Sequence, residues 1–282
     1  MAEQVLLDGR TEQPTGVDGL RAGTGADGVA VLLIDRPAKR NALTLAMWRG
    51  LPGVLGRLAA DPGVRVLLLA GTGGTFSAGA DIDELLAVYA DPERADAYHR
   101  DNVAAAEALA AFPRPTLAVV RGACVGGGCQ LAVACDLRFA AEDARLGITP
   151  AKLGVVYPAA PTARLTRLVG PARAKYLLYS AELVAGSRAE LLGLVDEAVP
   201  AERLEARALE YARAVATRSP HTLGAVKDAV AAVAAGEDPQ AAVEPWERLS
   251  RRAPQVREGL TAFLERRPPR FHDSRAAQPR RP

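Results

Sequence analysis

Cysteine and histidine are both scarce in this 282-residue chain, with three of each. Cys124, Cys129 and Cys135 fall within twelve residues, in apolar surroundings and without a CxxC pair. That leaves no disulfide framework to read and favours reduced, buried thiols of an intracellular protein over metal ligands. His99, His221 and His272 lie far apart, so no metal-ligand spacing emerges and no metal is expected. An excess of either charge is missing too: 35 Lys and Arg against 33 Asp and Glu give a net +2. This balance argues against a broad nucleic-acid-binding face. No apolar run reaches membrane-spanning length, and the first residues lack a signal-peptide pattern. A soluble, cytoplasmic protein without nucleic-acid or membrane partners is expected. Neither GTFSAGADI (74–82) nor GACVGGGCQ (122–130) fits GxxxxGKS/T or GxGxxG, so nucleotide-phosphate motifs are unsupported at these stretches.

What the chain does have is apolar residue, 49% of the total, enough for a sizeable core. The stretches at 29–35, 64–71, 115–122 and 137–142 are continuous apolar runs of the kind buried on both faces of a sheet. Between them, 44–60 has helical spacing with Thr44 as its N-cap, 83–112 is mostly helical, and a short helix follows the glycines near 127. Strands alternating with helices imply an α/β protein with crossover connections. The alternation thins after about residue 160, and 171–193 and 202–266 are Ala-rich and helical, interrupted by a short strand within 192–200. Residues 8–28, rich in Gly, Asp and Thr, read as a surface loop. The expected organisation is an N-terminal strand and flexible loop (1–28), an α/β core (29–200), a helical end (201–271) and a basic, solvated tail (272–282).

Two stretches, GTFSAGADI (74–82) and GACVGGGCQ (122–130), each follow a strand and place small residues before a helix. The first N–H groups of a helix are unpaired, and small residues let an oxygen approach them. Two such donors converging on one oxygen form an oxyanion hole, worth several kcal/mol to a transition state. Each stretch alone is more often a packing device.

Taken in order, DRPAKRNAL (35–43), FSAGADI (76–82) and GACVGGGCQLAVACDLRFA (122–140) resemble the enoyl-CoA hydratase/isomerase (crotonase) superfamily, and EGLTAFLERRPPRF (258–271) resembles that family's C-terminal end. The resemblance implies a spiral of ββα turns with a helical C-terminal trimerisation region, assembled as a homotrimer or a dimer of trimers. It implies an acyl-CoA thioester as substrate and no separate cofactor, coenzyme A being part of the substrate. The oxyanion donors fall on the N–H groups of Ala80 and Gly127. Ala78, Asp81 and Ile82 would line the coenzyme A path, with Arg36, Lys39 and Arg40 near its phosphates. Phe263 and Arg266 match positions that reach the coenzyme A of a neighbouring subunit. For the basic side chains, ordinary surface charge is the competing reading.

The chain departs from the family at its acids. Hydratases of the family use two glutamates, because water addition needs two managed proton transfers. The first belongs three residues after the oxyanion glycine, where this chain has Gln130; the second belongs four residues before Gly154, where it has Pro150. Neither can exchange protons. An intact oxyanion hole without a strong base suits an enolate formed by loss of CO₂ from a malonyl-type thioester. The segment ITPAKLGVVY (148–157) resembles that of methylmalonyl-CoA decarboxylases, whose active-site tyrosine falls on Tyr157. Those enzymes keep a glutamate at the position of Gln130 and a histidine at that of Ala80. Three readings therefore stand: a decarboxylase-type lyase, a hydratase or isomerase with an atypical acid/base, and a non-catalytic coenzyme A-binding homologue. Tyr157 is equally a core tyrosine. Asp81 is better read as an N-cap, Asp136 as structural, and Asp83, Glu84 and His99 as more distant candidates for the pocket.

Overall fold

The computed structural model describes residues 6–271. His272 and the arginines at 275, 280 and 281 of the expected basic tail lie outside the described residues. Seven strands form the main sheet. Strands β1 (Arg10–Gln13), β2 (Leu20–Gly25) and β3 (Val29–Ile34) pair antiparallel; β4 (Val66–Gly71), β5 (Thr116–Val120), β7 (Leu137–Ala141) and β10 (Glu197–Val199) extend it in parallel, in the order β1-β2-β3-β4-β5-β7-β10. All residues of β3 and β5 are buried, as expected for strands covered on both faces. The short strand expected within 192–200 is β10, at the sheet's far edge.

A second, smaller layer explains the connections. Strands β6 (Ala123–Val125), β8 (Arg145–Gly147) and β9 (Val184–Ala185) form a three-stranded sheet, and single parallel bridges join Ser77 to Cys124 and Leu43 to Ala80. Four times the chain runs from a main-sheet strand, through a residue or strand of this layer, into helix. The first turn passes from β3 through Leu43 to α1 (Leu45–Ala60). The second passes from β4 through Ser77 and Ala80 to α2 (Ile82–Val88) and α3 (Pro92–Ala110). The third passes from β5 through β6 to α4 (Gly127–Ala134), and the fourth from β7 through β8 to α5 (Ala159–Val169). This is a repetition of strand, bridge and helix, and it brings the helix entries of the second and third turns and the segment after β8 to one pocket. Helices α6 (Pro171–Ser180) and α7 (Gly186–Leu191) continue the core. The end is helical: α8 (Leu204–Ala216), α9 (Pro220–Ala235), α10 (Pro239–Ser250) and α11 (Pro254–Leu264).

Local chemistry sets the boundaries. Thr44 caps α1, its hydroxyl accepting from Met47 N at 3.2 Å, a contact worth about 1 kcal/mol. The helical stretch 83–112 is two helices, because Asp91 accepts from Glu93 N and Pro92 starts a new helix at its first position. Residues 8–28 are not a loop but the β1–β2 hairpin. Leu20 and Ala22 point into the core, and Thr15 Oγ1 closes the turn onto Leu20 O at 2.8 Å. Their strand character comes from pairing with β3, which overrides a turn-like composition. The hairpin is tied to α8 through Asp27, which bonds Arg10 at 3.2 Å and Arg213 at 2.9 Å. Among the described residues no helix is long and apolar enough to cross a membrane.

Candidate active site

The helix entries of the second and third turns meet. Gly79 sits at φ 100°, and a Cβ there would lie 2.8 Å from Val125 O and 3.3 Å from Gly127 N. A Cβ on Gly127 would lie 2.8 Å from Trp48 Cζ2 and 3.7 Å from Ala80 N. Glycine is thus required at both positions, and the packing sets the amide nitrogens of Ala80 and Gly127 close together beside the cavity that both residues line. Neighbouring amides are spent: Gly79 N donates to Ser77 Oγ, Asp81 N to Leu43 O, Gly126 N to Gly147 O. Among the described residues, those of Ala80 and Gly127 have no protein acceptor. Both open into a cavity holding about 650 Å³ of empty space, its mouth included.

The rest of that cavity is lined from three helices and one loop segment. From α2 and α3 come Leu85, Tyr89, Tyr98, His99 and Asn102; from α4, Gln130; from the segment after β8, Thr149, Pro150, Val155 and Tyr157. No aspartate or glutamate is among its lining residues. Gln130 is buried, and its Nε2 donates to Asn102 Oδ1 at 2.8 Å. Pro150 opens a short 3-10 turn. Tyr157 is packed against the core, and burial pushes its phenol well above the ordinary range. Its hydroxyl has no partner among the described residues; a neutral O–H of this kind donates and is a poor base. At the mouth Tyr89 Oη meets His99 Nε2 at 2.7 Å, with the rings edge to face.

Several acids named from the sequence stand elsewhere. Glu84 accepts from Leu45 N at 2.6 Å and serves the start of α1; Asp83 pairs with Lys39 at 3.2 Å on the surface. Asp136 binds Thr116 N and Lys227 Nζ, fixing β5 to α9. Asp81 holds the N-cap position of α2 without a capping bond. Its carboxylate accepts from Arg36 Nη1 at 2.9 Å, which keeps it below the usual carboxylate range. Arg36 also donates to Ala42 O at 2.7 Å, so its guanidinium is committed to the loop rather than standing free for a phosphate. Lys39 and Arg40 are exposed, and Ala78 and Ile82 line the pocket rim. Phe263 and Arg266 are exposed and outside this chain's own pocket. The cysteines are free thiols, all buried; burial pushes Cys124 up and Cys135 up to about 12. Among the described residues no group of His, Cys, Asp and Glu is arranged to hold a metal ion.

Asn102, Thr149, Tyr89 and Tyr98 were not anticipated. Tyr98, His99 and Asn102 share one helical face by their spacing, which was the available signal; the contact from Asn102 to Gln130 spans two helices and had none.

Comparison with known proteins agrees with this architecture. A profile of the enoyl-CoA hydratase/isomerase family matches residues 24–275. A Thermus thermophilus protein named for enoyl-CoA hydratase is 37% identical, over 86% of this chain and 97% of its own. The 2,3-dehydroadipyl-CoA hydratase of Escherichia coli is 34% identical, over 86% and 94%. A Hyphomonas neptunium structure described under the enoyl-CoA hydratase/isomerase family superposes with a TM-score of 0.86 at 34% identity, covering 92% of this chain and 99% of that one. With the spiral of strand, bridge and helix and the paired amides of Ala80 and Gly127 already in place, this chain belongs to the enoyl-CoA hydratase/isomerase family.

Proposed function

We propose that this acyl-CoA enzyme forms its thioester enolate without a carboxylate base, as a decarboxylase-type carbon–carbon lyase acting on a malonyl-type thioester. The observation that carries the reading is the pocket lining, in which Gln130, Pro150, Asn102 and Tyr157 stand and no aspartate or glutamate does. The bond between Cα and the substrate carboxylate breaks, CO₂ leaves, and its electron pair passes through Cα onto the thioester oxygen. The N–H groups of Ala80 and Gly127 donate to that oxygen as charge grows on it, and such donors are worth about 3–4 kcal/mol each in comparable sites. The Tyr157 O–H then protonates Cα and is restored from water. A phenol held neutral by burial suits an acid and not a base. In this reading Gln130 lines the reacting centre without exchanging protons.

Coenzyme A would enter past Ala78, Asp81 and Ile82, with Lys39 and Arg40 toward its phosphates. Phe263 and Arg266 would serve a neighbouring subunit in a homotrimer or dimer of trimers. Exposed apolar residues on α9 (Val226, Val230, Val233) and α11 (Leu260, Phe263, Leu264) support a covered face there. The enzyme would work in the cytoplasm without a separate cofactor.

A second reading rests on the hydratase names of the relatives and on the Tyr89–His99 pair, which supplies an imidazole within the pocket. Mass spectrometry of reactions with methylmalonyl-CoA and with crotonyl-CoA separates the two. CO₂ release from the first, with little hydration of the second, is expected. Hydration of crotonyl-CoA at the family's ordinary rates overturns the decarboxylase reading.

A further inference from the structure

Asn102 carries an observation the mechanism leaves unused. Its residue is 6% exposed and lines the pocket from α3. Gln130 Nε2 faces two oxygens, the Asn102 carbonyl at 3.4 Å and Oδ1 at 2.8 Å, which assigns both amides: Gln130 presents its nitrogen and Asn102 its oxygen. Asn102 Nδ2 is thereby turned from Gln130. It has no acceptor among the described residues, and it is not sealed from the cavity. With no protein acceptor and the cavity beside it, this amide is placed to meet an acceptor that enters the pocket.

The position of that acceptor follows from the helix. Gln130 lies three residues past Gly127 on α4, about 4.5 Å along the axis. An acyl chain that runs from an oxygen at the Gly127 N–H along α4 carries its next carbons toward the Gln130–Asn102 pair. Tyr157 adds a second unspent donor to the same cavity. Two donors and no carboxylate make a poor place for a plain hydrocarbon chain and a good one for an acceptor oxygen.

We propose that Asn102 is a substrate-recognition residue, donating from Nδ2 to an acceptor oxygen on the third carbon of the acyl chain, counted from the thioester carbon. The class is a malonyl-type or a 3-oxoacyl thioester. This deepens the reading above, since a malonyl carboxylate is such an acceptor, but it rests only on the acyl-CoA part of that reading. The pair also has a division of labour: Gln130 spends its own N–H to keep the Asn102 donors facing the substrate.

The test is calorimetric titration of the full chain with malonyl-CoA, acetoacetyl-CoA, butyryl-CoA and free coenzyme A. The wild type is expected to bind at least one of the oxygenated thioesters about tenfold more tightly than butyryl-CoA. Whichever is preferred identifies the carboxylate or the ketone as the source of the oxygen. Asn102→Asp preserves shape and the acceptor for Gln130 while removing the donors; Asn102→Leu removes both. Each is expected to cut the preference to about twofold or less, with butyryl-CoA and free coenzyme A bound as before, which also certifies the fold. A wild type without preference, or a preference that survives both substitutions, overturns the proposal. Following CO₂ in parallel keeps the two inferences apart. Preference without CO₂ release sustains recognition by Asn102 and removes the decarboxylase reading; CO₂ release without preference does the reverse.

Discussion

The two walls of the pocket are held by different means. On the donor wall, backbone presses on backbone and ring: Gly79 and Gly127 each leave only 2.8 Å between a would-be Cβ and its neighbour. On the facing wall, Gln130, Asn102, Pro150 and Tyr157 present side chains to space. The first wall is fixed by the fold, because moving either amide means moving a bridge between turns. The second is fixed residue by residue. On the proposed reading, oxyanion stabilisation and proton transfer are therefore separable, and substitutions on the two walls should behave differently.

Gly127→Ala gives the largest effect. The added methyl meets Trp48, so turnover is expected to fall about 10²–10³-fold and stability by about 1–3 kcal/mol, read by steady-state kinetics and urea unfolding. A variant with unimpaired turnover would break the contrast between the walls. Tyr157→Phe comes next, with kcat down about 10–10²-fold and coenzyme A affinity kept; unchanged kinetics removes Tyr157 from the reaction. Gln130→Glu places a carboxylate against Asn102 Oδ1 in a buried site. Its folded pKa is raised, so the variant loses stability as pH rises through that value, about 1–3 kcal/mol relative to wild type at pH 8 and less at pH 5. Urea midpoints at the two pH values check the sign, and equal losses at both would show that the carboxylate is solvated. The smallest effect is at the rim. Asp81→Asn weakens the Arg36 contact by about 1 kcal/mol at neutral pH. Because the Asp81 pKa is depressed, that contribution is present above the ordinary carboxylate range and fades as pH falls through the folded value. A deficit that does not shrink in acid contradicts the ion pair as its cause.

The contrast also explains what could be read in advance. The small-residue segments between a strand and a helix are local pattern, and the resemblance picks out the amides of Ala80 and Gly127 within them. The Thr44 cap and the buried parallel strands are equally local. The β1–β2 hairpin was not legible, since its glycines and aspartates say turn and only β3 says strand. Arg36 reads as a phosphate contact or as surface charge because Asp81, its partner, lies 45 residues away. Asn102 was invisible for the same reason, with Gln130 28 residues distant. In each case the missing information was a contact between turns of the spiral.

The spiral also has an evolutionary consequence. The second, third and fourth turns each deliver lining residues to one pocket, so the pocket is assembled from separate segments of the chain. Pro150 and Tyr157 belong to the fourth turn, while the two amide donors belong to the second and third. A lineage can rewrite the fourth turn's segment and leave the proposed oxyanion pair intact, which on that reading changes the reaction performed without first passing through a protein that cannot hold its intermediate.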